Sequence, residues 1–311
     1  MFRNRVNFEL TGYIKVTKDL LLQVPLAPSL GYRTDPFRNI GEVLNRGVEF
    51  AVNAQMVRSR DLQWDMRYSM NTLTNRLNSL TNDQGTVAPF FTGNVGRMIP
   101  GQQLGVLTSK RILAINPTTG VVTVDSAFRP INNVLPTFEA ALYNSFRLGK
   151  YIQVSASIDT KRDFGIYNQT DYFRETQVVR SARRLVPGTV SAFEFQRRYG
   201  NPTVGQPAFV QLGGVSTTVA EVREAYIQPG DFTRIRELAG TITLPAPWMN
   251  KIGATTGAVT IAFQNVMLFT SYQGPDPEVI TGLVNNGQFD RSDFLTIPTP
   301  RRVIMRLNLT F

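Results

Sequence analysis

Residues 301–311 read Arg301-Arg302-Val303-Ile304-Met305-Arg306-Leu307-Asn308-Leu309-Thr310-Phe311. Successive side chains of an extended chain point to opposite sides. Val303, Met305, Leu307, Leu309 and Phe311 therefore share one face, opposite Arg302, Arg306, Asn308 and Thr310, with Ile304 the one exception. A long amphipathic strand ending on an outward aromatic is expected to be the closing strand of an outer-membrane β-barrel. Leu307, Leu309 and Phe311 are then the residues expected to carry the signal for the barrel-assembly machinery.

The same period recurs upstream. Over residues 5–16, Val6, Phe8, Leu10, Ile14 and Val16 oppose Asn7, Glu9, Thr11, Tyr13 and Lys15. Residues 47–57 and 62–71 form a hairpin across Arg58-Ser59-Arg60-Asp61, and a second hairpin turns near Leu148-Gly149-Lys150. Further alternating stretches cover residues 231–244 and 258–268, giving roughly nine or ten long strands in all. These runs match the nine to eleven residues of a tilted membrane strand better than the five or six usual in soluble sheets. Tight turns alternate with long polar connections over residues 79–136, 163–223 and 271–293. That asymmetry predicts an all-β chain: an antiparallel transmembrane β-barrel with short periplasmic turns and long extracellular loops. A soluble β-sandwich also alternates, but its strands are shorter and it seldom carries charges such as Glu9, Lys15, Glu49 and Arg67 in mid-strand.

The chain has no Cys and no His, which excludes thiolate chemistry and disulfides and removes the commonest general base and metal ligand. No acidic pair sits in a catalytic motif, so an enzyme is not expected, and no cofactor is implied. The formal charge of +10 raises nucleic-acid binding, which needs clustered cations. Arg180, Arg183 and Arg184, then Arg197 and Arg198, are dispersed in loop-like sequence, and a basic loop surface is the plainer reading. No apolar run is long enough for a transmembrane helix, an absence that leaves strand spans open. The start, Met1-Phe2-Arg3-Asn4-Arg5, lacks the parts of a signal peptide, so an exported barrel would carry its leader upstream.

Several motifs carry a resemblance. Asn39-Ile40-Gly41-Glu42-Val43-Leu44-Asn45-Arg46-Gly47-Val48-Glu49 is similar to the strand entry "NxGxxxNxGxE" of the SusC/RagA-type TonB-dependent outer-membrane receptors. Tyr272-Gln273-Gly274-Pro275-Asp276-Pro277-Glu278 resembles their "Y-x-G-x-DPE" loop, and Pro298-Thr299-Pro300-Arg301 their "PxPR" run. Phe232 to Arg236 leading to Leu244-Pro245 resembles a family strand, and Gln264-Asn265 lies where the family has a strand end. The resemblance covers nearly the whole chain without the family's plug domain, which implies the C-terminal barrel portion, residues 1–311, of such a receptor. It implies uptake of a large nutrient such as an oligosaccharide or peptide, with a TonB complex acting through the plug, a SusD-like surface lipoprotein, and outer-membrane lipid as partners. A passive porin, another outer-membrane barrel or a soluble β-rich binding domain are the alternatives. Gly41 and Gly47 suit turn or bulge conformations. Asp276 and Glu278 suit either loop shaping or a calcium ion, and Trp64, Tyr68 and Trp248 either sugar stacking or an interfacial aromatic girdle.

Overall fold

The computed structural model describes residues 5–25, 29, 31, 35–82, 85–115, 122–174, 209–212, 215–218, 223–285 and 288–311. The arginines at 180, 183, 184, 197 and 198 lie outside the described residues. Eight long strands form one sheet: β1 (Val6–Lys18), β2 (Glu42–Arg58), β3 (Leu62–Ser79), β4 (Phe138–Leu148), β5 (Ile152–Arg162), β6 (Phe232–Thr243), β7 (Thr256–Thr270) and β8 (Arg302–Thr310). Each pairs antiparallel with its sequence neighbour, an up-and-down meander. β1 and β8 form its two edges. Among the described residues eight such strands are present, where the alternation predicts roughly nine or ten.

The register makes one face continuous across the sheet. Leu10 faces Phe50, Phe50 faces Met70, Met70 faces Ala140, and at the other edge Ile261 faces Met305. In a soluble sheet this face would be covered. Here Phe8 is 70% exposed, Leu10 66%, Val303 67% and Met305 74%. An apolar surface this continuous has to meet another apolar phase, and the opposite face is polar, so the phase is lipid and the polar face lines a lumen.

Connections at one end are short, residues 59–61, 149–151 and 244–255. At the other end they are long, residues 19–41, 80–137, 163–231 and 271–301. The long connections fold on themselves. One four-stranded sheet uses Phe90–Phe91, Gly96–Met98, Val106–Ser109 and Arg129–Asn132. Another brings Gly165–Asn168 and Ile227–Pro229 together with Gly282–Asn285 and Gln288–Asp293, tying two loops to each other. Among the described residues the buried apolar clusters lie at this end. One holds Leu22, Ile40, Val43, Leu77, Leu80 and Met98, the other Phe164, Ile166, Phe232 and Tyr272. The core thus sits at the barrel mouth, while the spanning wall has none.

Gln264-Asn265 is not a strand end, since β7 continues to Thr270. Asn265 takes φ 52° at a bulge between β6 and β7, a conformation Asn tolerates better than most residues. Its side-chain amide donates to the Pro300 carbonyl at 3.0 Å.

Candidate functional site: the polar inner face and the barrel mouth

The inner face is a ladder of polar cross-strand pairs. Arg67 Nε donates to Asn53 Oδ1 at 2.8 Å, Lys161 Nζ lies 3.1 Å from Glu139, and Gln264 donates to Glu237 at 3.1 Å. Thr241 and Thr260 share a hydrogen bond of 2.9 Å. In its middle is a concave groove whose charged lining is Glu9, Glu49, Glu139, Asp159 and Lys161. Lys161 answers Glu139 and Arg236 answers Asp159, which leaves Glu9 and Glu49 as the groove's excess carboxylates, and side chains so charged require water or a polar partner in front of them.

The first motif occupies the entry to β2 and each of its residues has a local task. Asn39 pairs with Leu21 in a small hairpin, which leaves Ile40 buried in the mouth core. Gly41 has φ 85°, and an added Cβ would lie 2.5 Å from the Ser79 carbonyl oxygen. Asn45 Oδ1 accepts from Asn75 Nδ2 at 2.7 Å, and Asn75 Oδ1 accepts from the Leu104 amide at 2.8 Å. This chain of amides fastens the long 80–137 loop to the wall. Gly47 lies opposite Tyr13, whose hydroxyl stands 2.7 Å from where a Cβ would be, with the Thr72 carbonyl oxygen closer still. Glu49 faces the groove between Thr11 and Asn71.

The second motif closes the mouth. Where β6 passes β5, one residue is inserted, so that Ser157 pairs with Glu237 and Ile158 with Ile235. The bulge puts Arg234, Arg236 and Glu237 on the inner side, as bulges near functional surfaces often re-aim side chains. Arg234 Nη2 donates to Asp276 Oδ1 at 2.5 Å, with both side chains almost wholly buried. Its Nε lies 3.1 Å from Glu278 Oε2. Arg236 makes a fork with Asp159, 2.5 and 2.8 Å, and also binds Glu278. Asp276 further accepts from the amides of Glu278 at 3.0 Å and Thr299 at 3.3 Å. Burial pushes its pKa up, but the Glu278 amide, Arg234 and the Thr299 amide outweigh that and hold the carboxyl below its usual range. Pro277, between the two carboxylates, is buried.

The carboxylates of Asp276 and Glu278 are therefore met by guanidinium groups, the arrangement for a clamp and not for a calcium ion, which needs oxygen ligands with uncompensated charge. Among the described residues no group of three or more carboxylates is placed to hold a metal. Beside the clamp, the Tyr272 hydroxyl donates to the buried Asp293, and Gly274 leaves room for that contact, since a Cβ there would strike both. Asp293 is pushed up by burial, against the hydrogen bonds from Tyr272 and Thr170. Thr170 belongs to the helix α1 (Gln169–Phe173) of the 163–231 loop, so the pair also joins two loops.

Of the third motif, Pro298, Pro300 and Arg301 are exposed on an extended approach to β8, and Pro300 is held by Asn265. Leu307, Leu309 and Phe311 lie on the apolar side of the edge strand, Phe311 78% exposed. Trp64 is also on the apolar face, stacked on Phe146 with its indole N–H donated to Asn144 at 2.9 Å, and Tyr68 packs beside Phe50. That position faces lipid and not the lumen, which removes sugar stacking for both. The motifs marked the clamp's acids. Its bases Arg234 and Arg236 stood in a quoted motif without a role, and Asp159 lay in an ordinary alternating strand, so no local signal could pair them.

The family model described as "TonB dependent receptor-like, beta-barrel" matches residues 1–168. TonB-dependent receptor P26 of Formosa agariphila is 24% identical over 353 residues, covering 100% of this chain and 33% of the relative. TonB-dependent receptor SusC of Bacteroides thetaiotaomicron is 21% identical, covering 98% and 30%. The fold is similar to a solved structure of the RagAB peptide importer in its closed-closed state, with a TM-score of 0.70 at 17% identity over 100% of this chain and 34% of that one. The chain thus spans about a third of the length of the curated relatives it matches. With a lipid-facing wall of long meandering strands, a polar lumen and a looped mouth, the chain is outer-membrane barrel wall and belongs to the TonB-dependent receptor β-barrel family.

Proposed function

We propose that residues 1–311 are the C-terminal wall and extracellular loops of a receptor that imports a nutrient too large for simple porins, an oligosaccharide or a peptide. The observation that carries this reading is the mouth. Its long loops are built into sheets and bolted to the wall by Arg234, Arg236, Asp276 and Glu278, as a rigid rim would need to be to position a large ligand. The acidic inner groove faces the space a plug would fill, and the plug would receive the energy delivered by a TonB complex. The loops over residues 80–137, 163–231 and 271–301 are the surfaces offered to substrate and to a SusD-like surface lipoprotein. Leu307, Leu309 and Phe311 serve as the signal read by the barrel-assembly machinery. One solved neighbour is a peptide importer, which supports the peptide class.

The test deletes the full-length gene and measures growth of the host on single peptide or glycan sources. Loss of growth on one source, reproduced by removing TonB, supports the reading. Uptake that persists without TonB would point to a passive porin instead.

A further inference from the structure

The third connection at the short-turn end does not look like the other two. Residues 59–61 and 149–151 are minimal turns, whereas residues 244–255 include a helix, α2 (Ala246–Asn250), started after Pro245 and followed by Gly253 at φ 75°. Where this helix sits is fixed by Gly257. Gly257 pairs with Leu309, two positions along from the pair Val259 and Leu307, so all four point to the apolar side. A Cβ on Gly257 would strike the Met249 sulfur and would lie 3.2 Å from the side chains of both Leu244 and Leu309. Met249 is itself buried. The helix therefore packs across the outer, apolar side of β7 and β8, and Gly257 is the gap that admits it.

With Met249 turned to the wall, the rest of the turn projects outward. Trp248 is 62% exposed and Ile252 54%, and Lys251 between them is exposed as well. Phe311 and Tyr151, 78% and 50% exposed, stand at the same end of the sheet. An indole, a branched alkyl group and an ammonium on one short amphipathic turn suit the boundary between lipid headgroups and acyl chains. The lysine stem can run along the apolar surface and bring its charge to the phosphate level.

We propose that residues 245–253 form an interfacial foot, binding the phospholipid headgroup region of the leaflet on the short-turn side. Trp248 and Ile252 insert at the acyl boundary and Lys251 engages lipid phosphate. The occupant is lipid because the foot continues the lipid-facing wall without a break. The proposal rests on that wall reading.

The experiment uses the full-length protein in a cysteine-free form, reconstituted into phosphatidylcholine vesicles. A fluorophore is attached at Ile252→Cys, at Leu307→Cys on the wall, or at Asn308→Cys on the inner face. Nitroxides are carried on the lipid near the headgroup or deep in the chain. The label at 252 is expected to be quenched several-fold more by the shallow nitroxide than by the deep one. The label at 307 is expected to show the reverse, and that at 308 neither. If 307 responds as expected while 252 is reached only by aqueous iodide, the foot is refuted and the wall stands. Shielding of 252 from lipid and iodide alike would mean a second copy or another protein covers the helix, which also overturns the proposal. If 307 is not quenched by either nitroxide, the wall assignment fails and the foot with it.

Discussion

Replacing Met305 by Arg tests the assignment of faces where it is most consequential. β8 has nine residues, Arg302–Thr310. At a rise of about 3.4 Å per residue the strand is about 30 Å long, and a tilt of about 40° reduces this to a vertical span of about 23 Å. That span matches the apolar band of about 25 Å of outer-membrane barrels. The midplane then falls near Arg306, which points inward, with Met305 and Leu307 as the outward residues flanking it. An outward Arg at the midplane costs about 2 to 4 kcal/mol, falling to about 0 to 1 kcal/mol near an interface. Met305→Arg and Leu307→Arg should therefore lower the folded-to-unfolded ratio by roughly 30- to 1000-fold. Leu309→Arg, nearer the turn, should lower it by less than about tenfold. Asn308→Arg, one residue from two of these but on the lumen side, should change it little. The assay is urea unfolding of the full-length protein in lipid vesicles, read by heat-modifiable gel migration. Equal costs at 307 and 308, or a cost at 309 exceeding that at 305, would refute the assigned faces and depth.

Three further outcomes are expected. Asp276→Asn leaves Arg234 buried without its full countercharge, and breaking a buried pair from one side costs about 3 to 5 kcal/mol; limited proteolysis should then cut within residues 271–301 faster than in the native protein. Gly47→Ala should destabilise by about 1 to 3 kcal/mol by overpacking, and adding Tyr13→Ala should recover only part, because the Thr72 carbonyl oxygen is backbone and cannot move aside. The pH dependence of the mouth should have two opposed parts. Asp276 is lowered on folding, so its stabilisation is present above the ordinary carboxylate range and lost as pH falls through the folded value. Asp293 is raised, so its protonated form is favoured on folding, and its contribution is full below the ordinary value of 3.8 and lost as pH rises through the folded one. Asp293→Asn should therefore stabilise the mouth at neutral pH relative to the native residue, measured by thermal melting at several pH values, and a lower melting temperature at neutral pH would contradict this.

Much of the wall was legible because each strand has one lipid-facing side and period two is a local signal. The ends of β1, β6, β7 and β8 lie within two residues of where alternation put them. The mouth was less legible. Its clamp joins residues from 42 to 77 positions apart, and its buried clusters draw single residues from several loops. Such pairings follow from topology, which no local pattern encodes. The helix α2 was hidden for another reason: Ala246-Pro247-Trp248-Met249 is too short to show a helical period, and only the gap at Gly257 reveals what it packs against.

β3 is longer than its alternation predicts. The alternation with apolar residues outward ends near Asn71, yet the strand runs on to Ser79. The alternation had not stopped; its sense had reversed. Up to Met70 the outward positions are apolar, Trp64, Met66, Tyr68 and Met70. Beyond it the outward positions are Thr72, Thr74 and Arg76, paired across to Val48, Arg46 and Leu44. The inward positions become Leu73, Asn75 and Leu77, with Asn75 bonded to the loop at Leu104 and Leu77 fully buried against Val43 and Leu80 in the mouth core. Below the reversal, lipid outside and water inside dictate one pattern. Above it the folded loops lie inside, so the same strand must turn apolar side chains inward. The reversal between Met70 and Leu73 is thus the level at which the inner side of β3 passes from lumen to mouth core, while outward apolar positions continue on β1 at Ile14 and Val16. It also explains why the spanning sheet has no core of its own while the mouth does. The loops supply to the inner side of the upper sheet the apolar covering that lipid supplies to the outer side of the lower.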